Sequence, residues 1–376
     1  MQQPVVKNPL EPHDSSGIFL LSRFLSDPRR GELRRDGIAF ELVKLWGVTK
    51  LNFGILGAAR IAAGALIPAI QKSSDATVLA VAARDGERAK AYAAQHNIPR
   101  FYASYDELLS DPEIHAIYNP LPTSEHAPWT LKALKAGKHV LVEKSFTMDA
   151  LEAQQIADAA QAAGKIVMEG FMWRFHPQVQ QVGDLISSGA IGALRLIRAS
   201  FSFTLADPLD IRAFEKLGGG ASYDITTYCV NGARTFAGRE PVSVTGWQTL
   251  YPKSHPAGGG ADESFGGTLE FGDDLRAIID SSIGQPFKQR VELVGTTGAI
   301  TMNEPWLPNG TQLIELNGSA LETPAASHYS LMLEHFTASV RGEVELRYPA
   351  TESVQQMRVL DALRESARQG GTPVEL

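Results

Sequence analysis

From Leu51 onward, short apolar runs alternate with stretches whose apolar residues recur every three to four positions, the pattern of strand–helix–strand units built around a parallel sheet. The runs LNFGILG, TVLAVAAR, AIYNPL, KHVLVEK and IVMEGFM predict strands, and ARIAAGALIPAIQKS, GERAKAYAAQHN, SEHAPWTLKALKAG and MDALEAQQIADAAQAAG predict helices. Ser124 is the expected cap of the third helix, with Gly137 and Gly164 stopping the third and fourth. Strands that are apolar at nearly every position suit a doubly wound sheet covered on both faces. After Trp173 the texture changes. LRLIRASFSFTL, SVTGWQTLY, SFGGTLEF, LRAIIDSSI and QRVELVG alternate polar and apolar residues, as antiparallel strands with one solvated face do. GGGASYDITTYCVNGARTFAG predicts a helix entered through three glycines, and YPKSHPAGGGADE a mobile loop. The expected organisation is an N-terminal extension over 1–50, poorly ordered; a dinucleotide-binding domain over 51–172; and a C-terminal α+β domain over 173–376 with a large, mostly antiparallel open sheet.

Composition narrows the function classes. The chain has 376 residues with 44% hydrophobic and 20% charged positions, enough to fold around real cores. A net charge of -7 argues against a nucleic-acid or acidic-membrane surface, so the expected partner is a small molecule. No run approaches the length of a membrane helix, and one cysteine, Cys229, rules out an internal disulfide and a cysteine-based zinc site. A cytoplasmic location is therefore expected. The histidines show no metal-binding spacing, and no catalytic metal is expected.

Gly57-Ala58-Ala59-Arg60-Ile61-Ala62 falls where the first strand turns into the first helix, the place of a G-x-G-x-x-G/A dinucleotide turn in a Rossmann fold. Such a turn offers free N–H groups and a helix N-terminus to a pyrophosphate. The second predicted strand ends Ala82-Ala83-Arg84. A cation there suits the 2′-phosphate of NADP, whereas an NAD enzyme places an acid there, and Asp85 next to it keeps NAD as the alternative cofactor.

The segments FGILGAARIA, LPTSEHAPWTLKALKAGKHVLVEKS, GFMWRFHP and GGGASYDITTYCV, in that order, resemble the glucose-fructose oxidoreductase/inositol dehydrogenase family of two-domain NAD(P)-dependent enzymes over 51–376. The W-R-F-x-P and D-x-x-x-Y segments look most like its D-xylose dehydrogenase and trans-dihydrodiol dehydrogenase branch. The resemblance implies that Leu121, Pro122 and Thr123 form the loop under the nicotinamide, that His126 lies beside it, and that Glu143-Lys144-Ser145 takes the place of the family's E-K-P motif. Lys144 matches the catalytic lysine. Ser145 departs from the family proline, which leaves open the backbone that follows the lysine.

Asp224 and Tyr228 are spaced i, i+4 and share one helix face. A phenol can carry the hydroxyl proton in alcohol oxidation if an ammonium stabilises its anion. The resemblance assigns that proton to Tyr228, its tuning or the orientation of the substrate to Lys144, and the sugar to Asp224. Trp173 and Arg174 stand at the junction of the two domains, where they read either as cofactor contacts or as core. The expected activity is NADP-dependent hydride transfer at the C1 hydroxyl of a cyclic aldose, with trans-dihydrodiol oxidation and a non-catalytic NADP-binding regulator as rivals. An open sheet face points to a homodimer or homotetramer.

Overall fold

The computed structural model describes residues 50–376, so the expectation of a poorly ordered extension lies outside the described residues. The described residues fall within one compact unit. Its first half is a six-stranded parallel sheet of β1 (Leu51–Leu56), β2 (Ala76–Ala82), β3 (Arg100–Tyr102), β4 (Ala116–Asn119), β5 (His139–Val142) and β6 (Val167–Glu169), in the order β3-β2-β1-β4-β5-β6. That order reverses between β1 and β4, the switch point at which such sheets bind ligands. Helices α1 (Ile67–Lys72), α2 (Gly86–His96), α3 (Tyr105–Ser110), α4 (His126–Lys135) and α5 (Ala150–Ala163) belong to this half. Phe53, Ile55, Ile117, Tyr118, Val140 and Leu141 are fully buried, as strands covered on both faces require.

Three local expectations need correction. The helix predicted from ARIAAGALIPAIQKS opens at Arg60 but passes through a π turn, Ala62–Leu66, before the regular α1, and residues 58 and 59 stay outside regular structure. Ser124 does not cap α4. A 3-10 turn over Thr123–Glu125, closed by the Glu125 N–H to the Pro122 carbonyl at 2.8 Å, draws Ser124 into helical geometry, and the capping position falls to Glu125 without a side-chain bond. Neither β3 nor α3 was legible, being three and six residues long. The stop at Gly164 is as expected: its φ of 61° is the left-handed cap that glycine tolerates.

The second half is a nine-stranded sheet of β7 (Leu194–Thr204), β8 (Ser243–Leu250), β9 (Asp262–Glu270), β10 (Arg276–Ser282), β11 (Gly284–Gly295), β12 (Ala299–Met302), β13 (Gln312–Leu316), β14 (Ser319–Thr323) and β15 (Val374–Glu375). The order is β14-β13-β12-β11-β7-β10-β9-β8-β15, antiparallel except for β10 against β7. The fold class is therefore the expected one, with that single parallel pair as the departure. Along the middle of these strands burial alternates: Ile197, Ala199, Phe201, Ala277, Ile279, Val291 and Leu293 face inward, whereas Arg198, Ile278, Lys288 and Arg290 face out. The remaining helices are α6 (Pro177–Ser187), α7 (Thr227–Ala237, entered through a π turn at Ser222–Thr226), α8 (His328–Val340) and α9 (Ala350–Arg368). Helix α7 lies on the inner face against β7, and α9 packs on both α5 and β8, which binds the two halves into one body. Among the described residues no helix is long and apolar enough to cross a membrane.

Candidate active site

The dinucleotide turn forms because β1 must reverse into α1 within a few residues. Gly57 has φ +85°, and a Cβ there would stand 3.0 Å from the Leu121 side chain. Glycine thus supplies both the conformation and the close approach to the loop after β4. Ala58, Ala59, Arg60, Ile61 and Ala62 follow, and the first-turn N–H groups of a helix have no partner within it, so the cradle fits a pyrophosphate. Arg84 stands exposed just past β2. Asp85, which kept NAD in consideration, is engaged otherwise: its Oδ1 accepts the N–H groups of Glu87 and Arg88 and caps α2. Arg88, one turn on, reaches back to the Ala58 carbonyl at 3.1 Å and makes a second cation at this end. The i, i+4 spacing from Arg84 was the signal that could have found it.

Leu121 sits against the turn, Pro122 opens the 3-10 turn, and Thr123 is buried against Gly218. His126 is placed as a bridge. Its ring nitrogens lie 2.8 Å from the Ser145 carbonyl and 2.7 Å from the Leu121 carbonyl, and burial lowers its pKa to about 4 against those two carbonyls. It ties the loop after β4 to the loop after β5.

The loop after β5 carries Glu143, Lys144 and Ser145. Glu143 is buried, accepts the Tyr118 hydroxyl at 2.6 Å, and has its pKa raised by desolvation. The Lys144–Ser145 peptide is cis although Ser145 replaces the family proline, which answers the question left by the sequence. Ser145 Oγ donates to the Tyr223 carbonyl at 2.8 Å. Lys144 Nζ donates to Asp224 Oδ1 at 2.6 Å and to the Asp224 carbonyl at 2.7 Å. The strand end of one half thus grips the π turn that leads into α7 in the other.

Two glycines and an acid set that turn. A Cβ on Gly219 would lie 2.5 Å from the Arg212 carbonyl oxygen, and Gly220 has φ +106° with a virtual Cβ 2.3 Å from Asp262. Only glycine fits both. Asp262 in turn accepts the Ser222 N–H at 2.5 Å and its hydroxyl at 2.8 Å, satisfying the opening of the helix.

Asp224 and Tyr228 do come together with Lys144, but the electrostatics differ from expectation. Lys144 Nζ lies over the Tyr228 ring, 5.2 Å from its centroid. Burial raises the Tyr228 phenol well above its ordinary value, and the carboxylates nearby add to the effect. The ammonium does not bring it down. Phe171, Phe201 and Trp306 surround the ring, and among the described residues its hydroxyl has only the Met172 thioether as a partner, at 3.5 Å. Trp173 and Arg174 are not brought to this site. Trp173 is fully buried, packs edge-on to Trp306 and donates to Asn231 at 3.2 Å; Arg174 pairs with Glu352 at 3.0 Å and stacks on Tyr348. Both are packed as core residues are, with Trp306 between Trp173 and the Tyr228 ring.

The residues that sequence reasoning missed lie in the irregular 205–217 segment. Asp210 accepts from Arg60 at 2.5 Å and from Arg212 Nε and Nη2 at 2.9 and 3.2 Å. Burial pushes the Asp210 carboxyl up, but the bonds and charge of Arg212, with Arg60, outweigh it and hold the pKa at about 2. Arg212 Nη1 stands 3.6 Å from Asp224 Oδ2. A chain of alternating charge therefore runs from the dinucleotide turn to Lys144.

A parallel sheet joined in this way to a second, mostly antiparallel one has counterparts among known proteins. Residues 51–171 match the oxidoreductase family with an NAD-binding Rossmann fold, and 179–301 match the GFO/IDH/MocA C-terminal domain. The chain belongs to the GFO/IDH/MocA oxidoreductase family. It is 36% identical to D-xylose 1-dehydrogenase (NADP(+)) 2 of Haloferax volcanii over 87% of this chain and 100% of that one. It is 35% identical to trans-1,2-dihydrobenzene-1,2-diol dehydrogenase of Xenopus tropicalis over 70% of this chain and 76% of that one. The crystal structure of an aldose-aldose oxidoreductase from Caulobacter crescentus superposes with a TM-score of 0.79 at 27% identity, covering 87% of this chain and 100% of that one. As a member of this family, the chain is an oxidoreductase whose first half is an NAD-binding Rossmann fold and whose second half is the family's C-terminal domain.

Proposed function

We propose that the chain is an NADP-dependent dehydrogenase that oxidises the C1 hydroxyl of a cyclic aldose, xylose-like or glucose-like, to the lactone and runs the reverse reduction. The observation that carries this reading is Lys144, held by Asp224 at the C-terminal end of β5 beside Tyr228, at the same edge of the sheet as the Gly57 turn. The NADP-dependent name of the Haloferax relative and the paired Arg84 and Arg88 support the cofactor. Bound NADP supplies the acceptor for the C1 hydrogen with its electron pair.

The remaining work falls to the chain. Lys144 and Asp224 present an ammonium donor and a carboxylate acceptor to adjacent hydroxyls of one ring and so fix its orientation. Tyr228, whose hydroxyl has only a weak thioether partner, is free to exchange a proton with the reacting oxygen. Because burial keeps that phenol protonated, near neutral pH the site is set to donate a proton to a carbonyl. Oxidation needs the phenolate and therefore speeds up as pH rises. The aromatic wall of Phe171, Phe201 and Trp306 favours one second reading, oxidation of a trans-dihydrodiol. We assign the outward face of the second sheet, with Ile278 exposed, to a second copy of the chain, which sedimentation would show as a dimer mass.

The test is NADPH formation across aldoses and trans-dihydrodiols, with NAD in parallel. Aldose-dependent reduction of NADP in preference to NAD supports the reading. Diol-only turnover shifts it to the second, and no turnover by either class would overturn both.

A further inference from the structure

The 205–217 segment brings a second cation to the same cleft, and its geometry is that of a fixed donor rather than a free charge. The Arg212 guanidinium is locked on one edge, where Nε and Nη2 bond the two oxygens of Asp210. Its Cζ lies over the Phe203 ring, 5.1 Å from the centroid, so its plane has an aromatic face to rest on. The other edge is not used up. Nη1 stands 3.6 Å from Asp224 Oδ2, beyond a direct hydrogen bond, and 36% of the side chain is exposed. An arginine anchored in this way loses little further freedom when it binds, and its unused N–H groups converge with Asp224 and Lys144 on one place.

We propose that Arg212 is a specificity-determining residue of the substrate site, donating from Nη1 to a ring oxygen or hydroxyl that an aldose carries and a dihydrodiol lacks. The proposal rests on the reading above and deepens it by naming which substrate class the site selects. A half-buried donor met by a C–H group is left unpaired, so the ligand without the matching oxygen is penalised, whereas added apolar area discriminates weakly. Phe203 and the Tyr228 surroundings accept either ring. Arg212 separates them. Its anchor, Asp210, also holds Arg60 of the dinucleotide turn, so the donor is positioned from the cofactor side of the site.

The experiment compares Arg212→Met and Arg212→Lys with the wild type. It reads KM and kcat separately for D-xylose and for trans-1,2-dihydrobenzene-1,2-diol, with NADP affinity from fluorescence titration as the check on folding. In the wild type, kcat/KM should favour the aldose. Arg212→Met should raise the aldose KM about 10- to 100-fold, the loss of one charge-assisted bond, with kcat changed less than about 3-fold and the diol KM hardly moved. Arg212→Lys keeps the charge without the fork and should lose selectivity in the same direction, which decides the matter should the Met variant fail to bind NADP. Equal losses on both substrates would make Arg212 a staple of the 205–217 segment and overturn the proposal, as would an unchanged aldose KM. A wild type that turns over only the diol overturns it while leaving the dehydrogenase intact, and a wild type idle on both removes the reading together with it.

Discussion

The two sheets solve different problems with the same material. The six-stranded sheet is covered on both faces, so its only free feature is the row of strand ends, and there it places the Gly57 turn, Leu121 to Thr123 and Glu143 to Ser145. The nine-stranded sheet covers one face and turns the other outward, with Arg198, Ile278 and Lys288 exposed. It contributes to the site through what lies on its inner face, helix α7 and its capping acid Asp262, and through the 205–217 segment leaving β7. One half offers ends and the other offers a platform. Side chains that reach across the join therefore matter most, and those on the outward face least.

The sharpest way to break this comparison is to cut the grip across the join. Lys144→Met removes the donor to Asp224 and should lower turnover by about 10²-fold or more, with NADP affinity within a few-fold of normal, checked by steady-state rates and titration. A parallel loss of NADP binding would move Lys144 from the substrate side to the cofactor side. Within the first half, Arg84→Ala should weaken NADP by about 1 to 3 kcal/mol and leave NAD nearly unchanged, and Arg88→Ala should do less because Arg88 already bonds the Ala58 carbonyl. Equal losses for both cofactors would mean that neither cation meets the 2′-phosphate.

How far the site was readable follows the same division. The strand-end residues were legible because their spacing is local: a glycine in a strand-to-helix turn, a lysine one residue past a strand, an acid and a phenol one helical turn apart. Asp210 and Arg212 were not, since they lie in irregular chain with no period to flag them and acquire meaning only when Arg60 and Asp224 approach from far along the sequence. Ser124 misled because a 3-10 turn claimed it, and the burial of Trp173 and Arg174 was not legible because a junction between halves is as often packed as open. The electrostatics of Tyr228 could not be read at all, since burial, the dominant cause, is a tertiary property.

A smaller effect sharpens the join itself. Glu169, at the end of β6, has its carboxyl fully buried, and that burial raises its pKa to about 8 against the opposing effect of Ser353 and the nearby arginines. A carboxyl raised in the folded state binds a proton that the unfolded chain gives up near 4.5. Its stabilisation is complete below that value and is lost as pH climbs through about 8. Melting temperature should fall by several degrees between mildly acidic and mildly alkaline buffer, and Glu169→Gln should flatten the fall; an unchanged slope would assign it elsewhere. The smallest effect belongs to the outward face. Arg198→Ala removes an exposed ion pair with Glu292 and should change unfolding free energy by less than about 1 kcal/mol in denaturant titration. A larger loss would show that this face is held by more than solvent.

The central claim is that Tyr228, protonated and held among aromatic rings, carries the reacting proton. Turnover of Tyr228→Phe with saturating aldose and NADP tests it most directly, because the ring and its packing stay while the ionisable oxygen goes. The account expects a loss of about 10²-fold or more with NADP affinity unchanged and the rise of wild-type oxidation with pH abolished. Near-normal turnover with the same rise would contradict it and give the proton to Lys144 or to a water held by Asp224.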